Sequence, residues 1–473
     1  MVRNVVLLCL DTVRHDYYTE YAPRLRSRAE TTLEHCYAAG GWSMPSHASL
    51  LTGQLPHEHG IHPRDQFTFD SLAVSDTFLR EVPDHSTLGI SANTYASSSF
   101  GFDALFDEFV DYSPSALFQD GLKPQVLQKA TGNAGTDRYL TFLRRILRHE
   151  RPIKSLANGL WGLVPSKPTL SQSRLVPYSK HDGCETITTV AHDRLDGVDE
   201  PYLLFINAMD AHAPYEVLRQ YDDSLHDVPP GWHSDDFDGE RRSSLEPFSD
   251  AEDVQYYRQL YRAAIDYLDR TFAVFVDELL ERSDYETTVI VFSDHGENLG
   301  YKADEYLVGH NSLSNAILHT PGDIINPPDS FPTGATEPVS HLEFGELVEA
   351  IAYGRSLPAI ERPVVPAEVP RAGGLHRGDE PEAPHLERMV RSLVSVDERT
   401  EWDSLGTCRR FEREPGFPEG ETLVSENCSI PSEATEYFRH SIETYLSGLT
   451  DGPPVDAEID PTTERRLQEL GYL

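Results

Sequence analysis

Two carboxylates, a histidine and a serine are the side chains of this sequence best suited to chemistry, and each sits beside an apolar run or a helix start. Asp294 and His295 stand in "FSDHGENLG", where the run Thr287–Phe292 stops and a glycine lets the chain turn. Carboxylate oxygen with imidazole nitrogen suits Zn, Mn or a similar divalent ion. Taken alone, such a pair after a strand is more often a cap. Asp11 ends another apolar run, Val5–Leu10, in "LDTVRHD". It could simply cap the helix that follows, but if the two strand ends converge, Asp11, Asp294 and His295 make three ligands. Three ligands leave coordination positions open, as a catalytic metal requires. A metal lowers the pKa of a bound hydroxyl, which gives Ser43, in "GGWSMPSHASLLTG", an activator. Pro45 suits a first helical turn, so "PSHASLL" reads as a helix whose N-terminus carries Ser43 and whose amides could receive an oxyanion. An ordinary N-cap serine would explain the proline equally well.

Further polar groups follow other strand ends. His212, in "MDAHAPY", and His310, in "VGHNSLSNAILHTP", could protonate a leaving group, donate to a sulfuryl or phosphoryl oxygen, or ligate a metal. Asn93, after Thr87–Ser91, could donate to a substrate oxygen, although strand-end Asn is usually turn chemistry. A second cation near Asp210, His212 and His310 would have a spacing that matches no established pattern.

The elements that must position these residues are legible. Val5–Leu10, Thr87–Ser91, Tyr202–Ile206 and Thr287–Phe292 read as buried strands, each with a polar group just beyond its end. Helical patterns lie between them, the clearest being "YRAAIDYLDRTFAVFVDELLER", with apolar residues three and four apart from Tyr261 to Leu279. Alternating strands and helices predict an α/β fold, a doubly wound, mostly parallel sheet flanked by helices. Ligands then bind outside the carboxyl ends of the strands, where the candidate residues stand. Residues 1–350 read as the catalytic domain, with a probable insertion at 113–200 that carries a basic stretch, "RYLTFLRRILRHERPIK". Residues 218–250 read as a long acidic loop, and 351–473 as a smaller C-terminal α+β subdomain in which alternation resumes at "RMVRSLVSV". No internal repeat is present.

Composition bounds the partners. The 473 residues carry 78 Asp and Glu against 40 Lys and Arg, a formal charge of −38. A field of that sign repels phosphate backbones and anionic lipid, so nucleic acid and membrane surfaces are not expected partners. The acid is dispersed and lysines number only six, which resembles proteins of salt-loving microbes; at molar salt, screening over ~3 Å makes the repulsion tolerable. Five cysteines without a CxxC pair argue against a disulfide framework or a Cys-rich zinc site. The first apolar run is too short for a signal peptide or a membrane span, and the expectation is a soluble, cytoplasmic, halophilic protein.

In this order the pieces resemble the sulfatase family of the alkaline phosphatase superfamily. The matching stretches include "NVVLLCLDTVRHDY", "GGWSMPSHASLLTGQLPHEHGIH", "LLFINAMDAHAPY", "TTVIVFSDHGENLG", "VGHNSLSNAILHTP" and the terminal "RRLQELGYL". Each alone is weak, and their shared order is strong. The resemblance implies one divalent metal ion (Ca, Mg, Mn or Zn) held by Asp11, Asp294 and His295, Ser43 as nucleophile, and His212 and His310 against the transferred group. It implies an anionic ester substrate, such as a sulfated or phosphorylated glycan, with Asn93 and His47 as substrate-binding residues. Departures from the family pattern are also informative. Sulfatases usually carry Cys-x-Pro-Ser-Arg, whose first residue becomes formylglycine; here His47 replaces the arginine, and an unmodified Ser43 hydroxyl is expected. Thr12 stands where a second Asp is usual, and His295 where many sulfatases carry Asn. These departures resemble the phosphatases, phosphonate hydrolases and phosphoglycerol transferases of the superfamily. Three functions follow: a sulfate or phosphate ester hydrolase; a transferase of a phospho- or sulfo-group onto a glycan or lipid; or a non-catalytic anion-binding relative. Aryl ester turnover, product analysis with a glycan acceptor, and metal content discriminate them.

Overall fold

Alternate residues of the first strand face two different cores. In β1 (Asn4–Leu10), Val6, Leu8 and Leu10 pack into a cluster with the long helix Glu252–Arg282, while Val5, Leu7 and Cys9 pack against helices Ser43–Thr52 and Phe344–Ala352. A strand buried on both faces must be apolar throughout, which is why its sequence reads as a run rather than an alternation. The computed structural model describes residues 1–65, 67–112, 151–161, 183–234, 252–282, 285–301, 308–310, 312–370, 387–414 and 417–449. The basic stretch at 138–150, the acidic residues 235–251 and the terminal "RRLQELGYL" lie outside them.

The large sheet has eight strands. Five run parallel in the order β7 (Thr287–Phe292), β1, β6 (Tyr202–Ala208), β4 (Ser86–Ser91) and β5 (Glu108–Asp111). Beyond β7 lie β11 (Gly322–Ile325), antiparallel to both neighbours, then β2 (Ala29–Leu33) and β12 (Gly334–Ala335). The expected doubly wound, mostly parallel sheet is thus present, with one reversed strand. All four strands read from the sequence belong to it. The long helix begins nine residues earlier than the pattern suggested, because Val254, Tyr257, Arg258 and Leu260 extend its buried face.

Two small sheets complete the part of the chain before residue 365. One joins β3 (Cys36–Tyr37), β10 (His319–Thr320) and β13 (Val339–Ser340), and the other β8 (Asn298–Leu299) and β9 (Val308–Gly309). Past residue 365 the chain forms a separate antiparallel sheet in simple order: β14 (Val365–Val369), β15 (Val390–Val394), β16 (Glu398–Asp403), β17 (Cys408–Glu414) and β18 (Phe417–Ser425). Cys408 and Cys428 are joined in a disulfide across this subdomain, while Cys9, Cys36 and Cys184 are buried thiols. The odd count therefore hides one covalent pair, which no short spacing could signal at a separation of 20 residues.

The antiparallel sheet buttresses the serine loop. Glu368 of β14 is fully buried; its backbone N–H donates to the Ala39 carbonyl, and its carboxylate accepts the His57 N–H at 2.8 Å, His57 Nδ1–H at 2.9 Å and Arg391 Nε–H at 2.7 Å. A buried carboxylate tolerates burial only when so supplied with donors and charge. Gly41 allows the same approach: a Cβ there would lie 2.5 Å from the Ser312 carbonyl oxygen and 2.6 Å from Val369 Cγ2.

Candidate active site

Asp11 leaves the tip of β1 and Asp294 the tip of its neighbour β7, so the sheet itself brings the two carboxylates together. Thr12 turns the chain after Asp11 in a left-handed conformation, φ 61°. That unusual turn for a β-branched residue aims its N–H at Asp294 Oδ1, at 3.3 Å. Its carbonyl accepts from Tyr261 of the long helix at 2.7 Å, and its hydroxyl donates to the Ala211 carbonyl at 3.0 Å. The Thr12 position thus ties the β1, β6 and β7 loops together without being a second acid.

His295 follows Asp294 and donates Nδ1–H to the Gly296 carbonyl at 2.8 Å, which turns the Nε2 lone pair inward. One donor atom from each of Asp11, Asp294 and His295 lies within 4.8 Å of the others, and all three residues are buried. They are the only such group among the described residues. Asp11 Oδ1 and Asp294 Oδ2 have no hydrogen-bond partner in this buried setting. Two orphaned carboxylate oxygens facing an imidazole nitrogen form a donor set that fits a divalent cation. Burial and the neighbouring Asp294 raise the Asp11 pKa. Burial acts on Asp294 in the same direction, but His295 and His47 outweigh it and hold Asp294 below the usual carboxylate range.

Ser43 is the first residue of helix Ser43–Thr52, and its side chain does not cap that helix. Its buried Oγ lies 3.3 Å from His295 Nε2 and accepts from Asn93 Nδ2 at 2.9 Å. The same Asn93 amide donates to Asp11 Oδ2 at 2.6 Å, while Asn93 Oδ1 accepts the Tyr95 N–H at 2.8 Å. Asn93 therefore makes both the turn and the bridge between serine and carboxylate. His47 lies one helical turn beyond Ser43; its Nδ1–H donates to the Ser43 carbonyl at 2.7 Å, and its Nε2 is 3.2 Å from Asn207 Nδ2. Both ring nitrogens of His47 thus meet protein groups.

The sequence reading passed over Asn207. It lies near the tip of β6, beside Cys9 of β1 and Ser91 of β4 in register, and donates to Asp11 Oδ2 at 3.0 Å. The signal was a lone amide inside an apolar strand, hidden because the run was taken to end at Ile206. His212 and His310 form the second half of the site. The His310 ring centroid is 5.4 Å from that of His212 and 5.0 Å from that of His295. His212 donates Nδ1–H to the Ala213 carbonyl. Asp210 does not join them: its Oδ1 accepts the Cys184 N–H at 3.2 Å, at the start of helix Gly183–Leu195. Buried Glu297, at the end of the same β7 turn, accepts from Tyr257 at 2.6 Å and lies 3.5 Å from His310 Nδ1. Burial works to raise its pKa, but His310 and His212 prevail and lower it.

A family model described as Sulfatase matches residues 3–346. The chain belongs to the sulfatase family. By that membership it is a hydrolase of sulfuric or phosphoric esters. A search of curated proteins found no match. Among solved structures, the phosphonate monoester hydrolase SpPMH from Silicibacter pomeroyi is similar with a TM-score of 0.59 at 17% identity, over 95% of this chain and 96% of that one. BT1596, a 2-O GAG sulfatase, matches with a TM-score of 0.54 at 12% identity, over 95% and 93% of the two chains. BT4656, solved in complex with its substrate D-glucosamine-2-N,6-O-disulfate, matches with a TM-score of 0.53 at 13% identity, over 99% and 98%. At these identities the likeness establishes the alkaline phosphatase-like fold. No helix among the described residues is long and apolar enough to cross a membrane.

Proposed function

We propose that this sulfatase-family chain cleaves sulfate or phosphate esters with the unmodified Ser43 hydroxyl as nucleophile. The carrying observation is the position of Ser43 Oγ, 3.3 Å from His295 Nε2 and bridged to Asp11 through Asn93. Asp11, Asp294 and His295 would hold one divalent ion, which would supply a Lewis acid that makes the serine alkoxide accessible near neutrality.

Asn93 holds Oγ in place by its amide N–H, which also shields the hydroxyl from the charge on Asp11. The Ser43 hydroxyl gives up its proton to solvent, Oγ bonds to the sulfur or phosphorus, and the ester O–S or O–P bond breaks as the alcohol leaves with a proton from His212 or His310, which the later water step returns. Water then attacks the serine ester and releases the inorganic or organo-anion, restoring the hydroxyl. His47 anchors the carbonyl of Ser43 and so fixes the nucleophile's backbone, in place of touching substrate itself. A sulfated or phosphorylated glycan is the proposed substrate class, in line with the sulfated sugar bound as substrate by the similar BT4656 chain.

The test is turnover of aryl sulfate, aryl phosphate and phosphonate monoester substrates by the purified chain with Mn, Zn, Mg or Ca added. Ser43→Ala is expected to remove turnover by at least about 10³-fold while leaving stoichiometric metal bound. A Ser43→Ala variant that keeps wild-type turnover overturns the proposal.

A further inference from the structure

Glu297 is buried, charged and beside the site, yet the metal-ligand set does not include it. It leaves β7 on the turn that supplies Asp294 and His295, three residues after the former. That turn is rigid. The Gly296 N–H donates to the Ile317 carbonyl at 2.7 Å, a Cβ on Gly296 would collide with the Ala316 carbonyl oxygen, and the Glu297 carbonyl accepts from Arg14 Nη1 at 3.2 Å. The Glu297 side chain, 2% exposed, divides its two oxygens. Oε1 takes the Tyr257 hydroxyl at 2.6 Å, and Oε2 lies 3.5 Å from Nδ1 of His310.

A core carboxylate satisfied by one neutral hydroxyl would be a costly thing to bury. The groups that offset the cost are the imidazoles it faces. His310 enters on the short ribbon of β8 and β9, just past Gly309, whose φ of 95° lets the chain turn there. Glu297 Oε2 approaches the ring at Nδ1, 3.5 Å away, and the rings of His212 and His295 are its neighbours in the site.

We propose that Glu297 is the positioning residue for His310, holding the imidazole by Nδ1 so that Nε2 meets the ester. The inference rests on the function proposed above. It divides the β7 turn between two tasks: Asp294 and His295 serve the metal half of the site, and Glu297 orients the half that meets the leaving group. Tyr257 keeps the acid from turning away.

A double-mutant cycle tests it on the metal-loaded enzyme. Glu297→Gln keeps the shape and the Tyr257 contact, and is expected to lower kcat by about 10–100-fold with KM changed less than about threefold. The loss should grow for aryl esters with poorer leaving groups, and metal content should stay stoichiometric. In a His310→Asn background the same substitution should cost less than about threefold, because the two residues act as one unit. Equal losses in both backgrounds, or loss of metal from Glu297→Gln, overturn the assignment. Should Glu297→Gln fail to fold, Tyr257→Phe runs the same cycle, with a smaller kcat loss that must also vanish in His310→Asn. Full turnover by Ser43→Ala would instead sink the proposed function, so the two failures are distinguishable.

Discussion

At the residue scale, two amides organise the anionic centre. Asn93 and Asn207 both donate to Oδ2 of Asp11, leaving Oδ1 for a cation. Removing the Asn207 donor leaves Asn93 alone to hold Asp11 Oδ2 and leaves His47 Nε2 unsupplied. Asn207→Ala should therefore weaken metal affinity by about 10–100-fold, the usual cost of losing a ligand's outer partner. A chelator competition titration reads it directly; unchanged affinity would deny Asn207 this role. Asp11 and Asp294 were legible as candidate ligands because an acid stands just past an apolar run, and burial of such a run forces its end to the sheet edge. Asn207 was not, because a neutral amide inside a strand resembles the start of a loop. The spacing of Asp210, His212 and His310 matched no established cation pattern, and Asp210 faces helix Gly183–Leu195. Equally hidden was the contact of the outer His47 nitrogen with the Asn207 amide, 160 residues away in sequence.

At the element scale, the helix that carries Ser43 is braced by histidines that must stay neutral. His59 Nδ1 accepts the Ile61 N–H at 2.9 Å and its Nε2 meets Ser49 of the serine helix at 3.2 Å. His62 accepts the Arg64 N–H and lies 2.8 Å from the Tyr445 hydroxyl in the C-terminal subdomain. Burial lowers the His59 pKa to about 3, aided by His62 and opposed by Glu368; burial lowers His62 to about 4, opposed by Glu368 and aided by Arg64 and His57. A histidine whose folded pKa lies below its unfolded value binds protons more readily when unfolded. Stability is then full above about pH 6.5 and falls as the pH drops, by roughly 1.4 kcal/mol per pH unit for each histidine until its folded pKa is reached. Denaturant unfolding between pH 7.5 and 5 should show that slope, and His62→Gln should reduce it; a flat profile refutes the brace. Long elements with one strong period were readable from sequence, whereas β2, β11 and β12 were not. These short strands join the sheet through partners distant in the chain, such as Asp323 of β11, which accepts from Tyr18 and Thr32. The Cys408–Cys428 bond was equally invisible, since only the β17–β18 pairing brings the two together.

At the scale of the whole molecule, the charge of −38 sets the conditions under which the rest can work. Three buried acids of the C-terminal sheet are paired with arginine: Glu368 with Arg391, and Glu421 and Glu401 with Arg399. Many other acids are exposed and face water with few lysines to oppose them. Like charges at the surface repel across about 10 Å at 0.1 M salt but only about 3 Å at 1 M, while the buried pairs are screened much less. Raising salt should therefore remove repulsion without dissolving the interior ion pairs. The melting temperature should climb steadily from 0.1 to 2 M KCl. NaCl should give the same rise over the lower part of that range if screening is the cause, because screening depends on ionic strength and not on the cation. Excluded-salt effects would instead show as a dependence on the anion, stronger in sulfate at matched ionic strength. A melting temperature that falls with KCl would mean that attractive surface pairs outweigh the net repulsion, and the reading of this acidic surface as an adaptation to salt would fail.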